Sequence, residues 1–195
     1  MMQPENSNSP SPTVSITIPV AWGEMDALGH VNNVVFFRYF ESARVEFLRQ
    51  FGWREGTESS SSPTAASAPS VASPAAAPAS APPAPAPGFI LQSVHARFRR
   101  PVMFPDTLTV TARCTSVGTD RLTIEHAIFS LAQSGALVAE GSGIVVCYDY
   151  ATRQKASLPA SLHLLLTQAA AQSAAASTSV PPAASPSPRT TLPPS

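Results

Sequence analysis

The chain has 195 residues, enough for one domain, and its 12 basic and 12 acidic side chains leave no net charge. That balance gives no electrostatic basis for binding nucleic acid or an anionic membrane surface, and no apolar run approaches the roughly 18 residues of a membrane span. The first residues, MMQPENSNSPSPT, have neither the apolar stretch of a signal peptide nor the arginines of a mitochondrial presequence. We therefore expect a cytoplasmic protein.

Three segments rich in Pro, Ser and other small or polar residues flank or interrupt more ordinary sequence. They hold 17 of the 21 prolines and few large apolar side chains. Such segments cannot bury enough surface to offset the entropy lost on ordering. We predict disordered tails at residues 1–13 and 172–195, and a single domain over 14–171 that a disordered insert at 58–87 interrupts.

The first predicted element is a strand over residues 14–20, where apolar and polar side chains alternate and Pro19 restricts the strand to a sheet edge or a strand end. Asn32 or Asn33 then suits the N-cap of a helix that runs to Gln50, and Gly52 suits its C′ position. The apolar side chains of this helix spread far round the cylinder, so the helix must be largely enclosed. They are Val34, Val35, Phe36, Phe37, Phe40, Ala43, Val45, Phe47, Leu48 and Phe51.

Four strand-like runs follow, at residues 89–99, 107–117, 121–131 and 136–150, with no second long helix between them. The sequences SVGTD and QSG form hairpin turns between three of these strands, and a short helix around 161–170 closes the domain. This order predicts an α+β fold, in which a curled antiparallel sheet of about five strands wraps around one central helix. Cys114 and Cys147 lie within strands, and we expect both to be reduced core residues.

Three stretches in this order resemble one known family: WGEMDALGHVNNVVFFRYFESAR, ARFRRPVMFPDTLTV and LVAEGSGIVVCYDYATRQKASLP. They resemble the hot-dog-fold acyl-CoA thioesterases of the 4-hydroxybenzoyl-CoA thioesterase-like family, over residues 14–54 and 88–166. The first stretch carries the specific motif, D-x-x-G-H-V-N-N followed by an aromatic helix with Tyr39, Glu41 and Arg44. The resemblance implies a hot-dog fold and hydrolysis of an acyl-CoA without a cofactor or a metal.

In that family the acidic residue of the motif, here Asp26, is the nucleophile or general base, and backbone N–H groups at the start of the central helix hold the thioester oxygen. The residue types are compatible with this chemistry, because hydrolysis needs an activated oxygen nucleophile and donors where negative charge develops. Asp26 supplies a carboxylate, the helix start supplies unpaired N–H groups, and Gly29 supplies the bend between them. We predict Asp26, His30 and Asn33 as catalytic residues, with Asn32 in a secondary role.

Each of these residues also has a purely structural interpretation. Asp26 suits a turn in which a side chain accepts hydrogen bonds from its own backbone, and His30 suits a structural or orienting role. The two asparagines suit helix caps. Glu41 lies three residues before Arg44, so a helical ion pair is as good an explanation as a secondary role at the catalytic site.

The densest basic cluster follows the insert. Arg97, Arg99 and Arg100 are predicted to contact the phosphates of coenzyme A, although a solvated strand edge explains them equally well.

The sequence departs from the family pattern twice: Glu24 stands where aspartate is common, and the insert replaces a short loop after the helix. Three isolated histidines receive no role: His95, His126 and His163.

Two other functions fit the same fold. A hot-dog hydratase or dehydratase also pairs an Asp with a nearby His, but usually has asparagine two positions after the Asp, where this chain has Leu28. A non-catalytic acyl-thioester-binding module has no sequence feature against it. The small size and the apolar helix predict a homodimer or homotetramer. The resemblance to hot-dog proteins implies that the subunits pair their sheets edge to edge. The expected partners are an acyl-CoA and further copies of this chain, with neither nucleic acid nor membrane among them.

Overall fold

The computed structural model describes residues 13–53 and 88–178, so the predicted insert and most of the predicted tails lie outside the described residues. The elements, in chain order, are β1 (Thr13–Pro19), a 3-10 turn (Trp22–Glu24), α1 (Asn33–Gln50), β2 (Gly88–Phe98), β3 (Thr107–Val117), β4 (Arg121–Ser130), β5 (Ala136–Asp149), β6 (Gln154–Lys155) and α2 (Ala160–Thr178). Strands β1 to β5 begin and end within one residue of their predicted positions.

Helix α2 is longer than predicted. It runs from Ala160 to Thr178 rather than over 161–170, and so includes residues that composition alone places in the C-terminal tail. The physical reason is the run of alanines in its second half, because alanine has the highest helix propensity. Leu166, Ala169 and Ser173 are spaced to share one helix face, and all three are buried. Neither described helix is long and apolar enough to cross a membrane.

The sheet is antiparallel, in the order β1-β3-β4-β5-β2, with β6 paired to β5. β1 pairs with β3 at one edge, and Pro19 lies at the end of that strand, opposite Thr107, as predicted for an edge proline. β2 is the other edge strand, and it pairs with β5 over a length of 11 residues. Within the described part of the chain, the outer edge of β2 therefore offers unpaired backbone groups to a further strand.

Helix α1 packs against one face of this sheet. Its side chains Phe40, Ala43 and Phe47 are 0 % exposed. Alternate residues of β3 and β4 contribute to the same core, namely Leu108, Val110, Ala112, Cys114, Leu122, Ile124 and Ile128. Leu166 and Ala169 of α2 belong to this core too, so both helices cover one continuous apolar layer. The predicted α+β arrangement, an antiparallel sheet against a central helix, is confirmed.

The core is less complete beside β2, where the apolar side chains are only half-buried and Phe98 is 38 % exposed. Phe98 contacts Phe36 and Phe37 of α1, with ring centroids 5.2 and 6.4 Å apart. At the other end of β2, the ring of Phe89 contacts that of Trp53, with centroids 6.1 Å apart. The seam between α1 and β2 thus keeps apolar surface that no described residue covers.

A glycine and a histidine lie beneath Phe40 at the middle of the sheet. A Cβ atom at Gly141 of β5 would come within 2.8 Å of the Phe40 ring and would overlap the His95 carbonyl oxygen, so only glycine fits there. His126 of β4 pairs with Gly141 and stacks on Phe40, with ring centroids 4.8 Å apart. Its side chain is buried, and burial, followed by the charge of Arg44, lowers the pKa of His126 to about 4.

The two cysteines behave as the sequence predicts. Cys114 and Cys147 are unpaired and fully buried. Burial raises the pKa of both thiols, that of Cys114 to about 11. Since the thiolate is the reactive form, both residues are inert parts of the core.

Candidate active site

Asp26 lies in a tight hairpin between the 3-10 turn and α1. Met25 and Val31 form an isolated antiparallel bridge at the base of this hairpin. Within it, the Asp26 N–H donates to the His30 carbonyl at 2.7 Å, and the Gly29 N–H donates to the Asp26 carbonyl at 3.0 Å. Gly29 has φ +77°, a conformation that suits glycine and supplies the predicted bend. The hairpin turns the chain back onto the start of α1.

The two oxygens of the Asp26 carboxylate have different surroundings. Oδ1 accepts hydrogen bonds from the backbone N–H groups of Leu28, at 2.8 Å, and His30, at 3.4 Å. This is the turn interaction that the structural interpretation predicts. Oδ2 has no hydrogen-bond partner among the described residues, and the side chain is exposed. One oxygen therefore holds the turn, while the other stays available to a reactant or a water.

The start of α1 provides the donors. Asn32 is the N-cap, because its Oδ1 accepts from the Val34 N–H at 3.0 Å and its carbonyl accepts from the Val35 N–H at 2.9 Å. The Asn33 N–H has no hydrogen-bond partner within the ranges 13–53 and 88–178. It is therefore an unused donor at the positive end of the helix dipole, where an anionic oxygen is stabilised.

The carboxylate and the helix start both line one cavity of about 370 Å³. It is lined by Asp26, His30 and Asn33 together with Phe36, Phe98, Arg99 and Arg100, so the structure brings the three predicted catalytic residues to one place. The segment after β2 forms its far wall and is fixed there by a hydrogen bond from the Val31 N–H to the Val102 carbonyl, at 2.8 Å. Together with Phe98 at the end of β2, this wall contributes an aromatic residue and two arginines to the cavity. The cavity thus offers both apolar and cationic surface beside the free carboxylate oxygen.

Three predicted residues do not line this cavity: Asn32, which is the N-cap described above, Glu41 and Arg97. Glu41 is 3.5 Å from the Arg44 guanidinium and lines a second cavity, of about 240 Å³, at the other end of the α1–β2 seam. Arg97 lines a third cavity with His95 and Glu140. Since Arg97 lies opposite Glu140 in the register and the next pair, Ala96 and Gly141, faces α1, Arg97 points away from the helix.

The sequence analysis did not predict one interaction beside the site. The hydroxyl of Tyr39 donates a hydrogen bond to Glu24 Oε2 at 2.7 Å. Burial, followed by this hydrogen bond, raises the pKa of Tyr39, which keeps the hydroxyl protonated. The two residues are 15 positions apart, and no pattern in the sequence pairs them.

Metal ligation offers no alternative organisation of the site. No group of three or more His, Cys, Asp or Glu side chains in the described part of the chain is placed to hold a metal ion. The functional groups around Asp26 are instead a carboxylate, an imidazole, amides and guanidinium groups.

Comparisons with known proteins add the family context. A family model described as the thioesterase-like superfamily matches residues 20–166. The long-chain acyl-CoA thioesterase FadM of Escherichia coli K12 is 25 % identical over 151 residues, which are 77 % of this chain and 95 % of FadM. The PA2801 protein of Pseudomonas aeruginosa has a TM-score of 0.58 at 26 % identity, over 77 % of this chain and 95 % of that protein. The DHNA-CoA thioesterase of Staphylococcus aureus has a TM-score of 0.63 at 13 % identity, over 86 % and 96 % of the two chains, and this likeness confirms the predicted hot-dog fold.

Proposed function

The chain belongs to the thioesterase-like superfamily, and we propose that it hydrolyses acyl-CoA thioesters to a free carboxylic acid and coenzyme A. One observation carries the proposal: Asp26, with its free Oδ2, and Asn33, with its unused N–H, line the same cavity. A thioester carbonyl bound there would meet a nucleophile or base and a hydrogen-bond donor together. The similarity to FadM, whose name specifies long-chain acyl-CoA, supports this substrate class.

Asp26 acts in one of two ways. Its Oδ2 attacks the thioester carbon, expels the coenzyme A thiolate and leaves an acyl anhydride that water hydrolyses, or it takes a proton from a water that attacks the carbon directly. In both cases negative charge develops on the carbonyl oxygen. The Asn33 N–H and the dipole of α1 stabilise that charge, and one donor of this kind typically contributes about 3–4 kcal/mol.

His30 and Asn32 support this chemistry from either side of the turn. His30 is half-buried, and its imidazole lines the cavity, where it orients the attacking water or the thioester. Asn32 acts as the cap that leaves the Asn33 N–H as the free donor. Of the two interpretations of Glu41 we favour the helical ion pair with Arg44, because Glu41 does not line the Asp26 cavity.

Two of the three predicted arginines line the cavity in which we place the thioester end of coenzyme A. Arg99 and Arg100 line the Asp26 cavity, whereas Arg97 does not. The Arg99 guanidinium is paired with Glu140, and Arg100 has no ion-pair partner in the part of the chain that the structure describes. Arg100 is therefore the guanidinium that we assign to a phosphate of coenzyme A.

Replacing Arg100 with glutamine should raise the KM for an acyl-CoA about fivefold and leave kcat unchanged, because an exposed charge pair contributes about 1 kcal/mol. The KM for the matching acyl-pantetheine, which lacks the phosphates, should not change. Arg97→Gln is the matched control and should leave both KM values unchanged. A larger effect of Arg97→Gln than of Arg100→Gln would contradict the assignment.

We also propose that the chain forms a homodimer or a dimer of dimers. The support is the open edge of β2 and the apolar surface around the site, where Leu28 is 81 % exposed and Val34 is 67 % exposed. A partner sheet paired along β2 would cover the α1–β2 seam. The buried, unpaired cysteines support a cytoplasmic location for this assembly.

Light scattering should give a mass two or four times that of one chain. Val34→Asp places a charge on the uncovered apolar surface and should weaken association at least about tenfold, since burying an unpaired charge costs well over 1.4 kcal/mol. Leu131→Asp is the control, because Leu131 is 70 % exposed but follows β4, away from β2. An active wild-type monomer would refute the assembly.

The activity itself is tested with the purified full chain and a panel of acyl-CoA esters of different length and polarity. A thiol reagent should detect one free thiol for each ester cleaved. An enoyl-CoA belongs in the panel, because loss of its double bond without thiol release would identify a hydratase instead. Binding of the esters without turnover would identify a non-catalytic module, and either outcome would reject the proposal.

A further inference from the structure

Glu24 connects three parts of the structure around the Asp26 hairpin. Its Oε2 accepts hydrogen bonds from the Tyr39 hydroxyl, at 2.7 Å, and from the Ala21 N–H, at 2.8 Å. Its backbone carbonyl accepts from the Asn32 N–H at 2.9 Å. Hydrogen bonds therefore link Glu24 to the segment after β1, to the side of α1 and to the N-cap of α1.

We propose that Glu24 and Tyr39 are positioning residues, which fix the distance between the Asp26 carboxylate and the Asn33 N–H. Asp26 lies two residues after Glu24, across the Met25–Val31 bridge from the start of α1. Both ends of the hairpin are thus tied to α1, one by the Glu24–Tyr39 hydrogen bond and the other by the helix start itself. The inference rests on the proposed function, since it assumes that these two groups act on one thioester.

Tyr39 is suited to this role because it is itself immobile. It is 3 % exposed, and its ring packs edge-to-face against Phe36, with centroids 6.0 Å apart. Phe36 in turn lines the Asp26 cavity. A carboxylate acceptor makes the hydrogen bond stronger than one between neutral groups. The buried second turn of α1 therefore sets the position of the hairpin that carries Asp26.

The length of the Glu24 side chain matters as well as its charge. One carboxylate oxygen reaches both the Ala21 N–H and the Tyr39 hydroxyl. Aspartate at this position would be shorter by one methylene and would not reach both donors from the same backbone position. Glutamine would keep the length and one acceptor oxygen. The conservative rescue is therefore Glu24→Gln rather than Glu24→Asp.

The test compares Tyr39→Phe with Tyr150→Phe, which removes the hydroxyl of an exposed tyrosine far along the chain, just after β5. Tyr39→Phe should lower kcat about tenfold with little change in KM, because a misplacement of about 1 Å can cost a factor of about a hundred in rate. Glu24→Gln should keep most of the activity. The double variant Glu24→Ala/Tyr39→Phe should be no worse than Glu24→Ala alone, since that change already removes the link to Tyr39.

Amide hydrogen exchange gives a readout that does not depend on activity. The Asp26 and Asn32 N–H groups should exchange faster in Tyr39→Phe than in wild type, while amides of β3 and β4 should be unchanged. Unchanged exchange at the hairpin, or an unchanged kcat in an active enzyme, would overturn the inference. A wild-type chain without thioesterase activity would instead reject the proposed function, whatever the exchange rates.

Discussion

Replacing Asp26 with asparagine is expected to lower kcat for thioester hydrolysis by about a hundredfold or more. Asparagine keeps an oxygen at the position of Oδ1, so the hydrogen bonds from the Leu28 and His30 N–H groups can persist. What it removes is the anionic oxygen, Oδ2, which either attacks the thioester or deprotonates water. The change is nearly isosteric at an exposed position, so the melting temperature should change by only a few degrees.

Asp149 provides a matched control for this substitution. Its Oδ1 also accepts backbone hydrogen bonds within a turn, from the Ala151 and Thr152 N–H groups, at 2.8 and 3.2 Å. Asp149→Asn should therefore alter a similar turn and leave kcat unchanged. Full activity in a pure, folded Asp26→Asn sample would remove Asp26 from the mechanism.

A single turnover in ¹⁸O-water distinguishes the two roles of Asp26. Direct attack forms an anhydride between the acyl group and the side chain, and hydrolysis at its aspartyl carbon leaves ¹⁸O in the protein. Mass spectrometry of the peptide that contains Asp26 should then show the label. If Asp26 acts only as a base, the oxygen from water goes entirely into the carboxylic acid product.

The second large effect is expected on stability rather than on activity. The pKa of His126 is lowered from its ordinary value of 6.5 to about 4, first by burial and then by Arg44. Above pH 6.5 the imidazole is neutral in both the folded and the unfolded chain. Below that pH the unfolded chain binds a proton that the folded chain does not, so the free energy of unfolding falls as the pH falls to about 4, by about 3 kcal/mol for this group.

Urea unfolding at pH 7 and pH 4 measures this contribution. His126→Leu removes the titrating group, and the loss of stability between the two pH values should shrink by about 3 kcal/mol relative to wild type. His95→Gln is the control, because His95 is an exposed histidine and should leave the pH dependence unchanged. An equal pH dependence in wild type and His126→Leu would mean that His126 does not stay neutral in the fold.

The sequence predicted those elements whose signals are local. Apolar alternation in β3 and β4 corresponds to side chains that are buried at every second position, and Asn32 and Gly52 mark the ends of α1 as expected. The C-terminal part of α2 was not predicted, because an alanine-rich run is typical both of helices and of low-complexity segments. β6 has two residues, too few for any periodic pattern, and depends on pairing with β5.

The same distinction applies to the candidate site. Asp26, His30 and Asn33 lie within eight residues of one another, so one turn and one helix start were enough to predict that they meet. The sequence could not show which of the three arginines line the cavity. Arg97 and Arg99 are two apart and would share a face in an ideal strand, and both lie beside Glu140, but β2 ends at Phe98 and only Arg99 also lines the Asp26 cavity. The Glu24–Tyr39 hydrogen bond depends on how the hairpin folds back on α1, which no local pattern encodes.

The contact between Trp53 and Phe89 bears on how much the length of the segment between them can change. Their ring centroids are 6.1 Å apart, so the described residues on the two sides of the segment 54–87 form a close junction. For a chain closed at such a junction, doubling the number of residues costs only about 0.6 kcal/mol. Evolution could therefore lengthen, shorten or replace residues 54–87 at little cost to the stability of the domain. For the same reason, a reporter or a second domain could be inserted there.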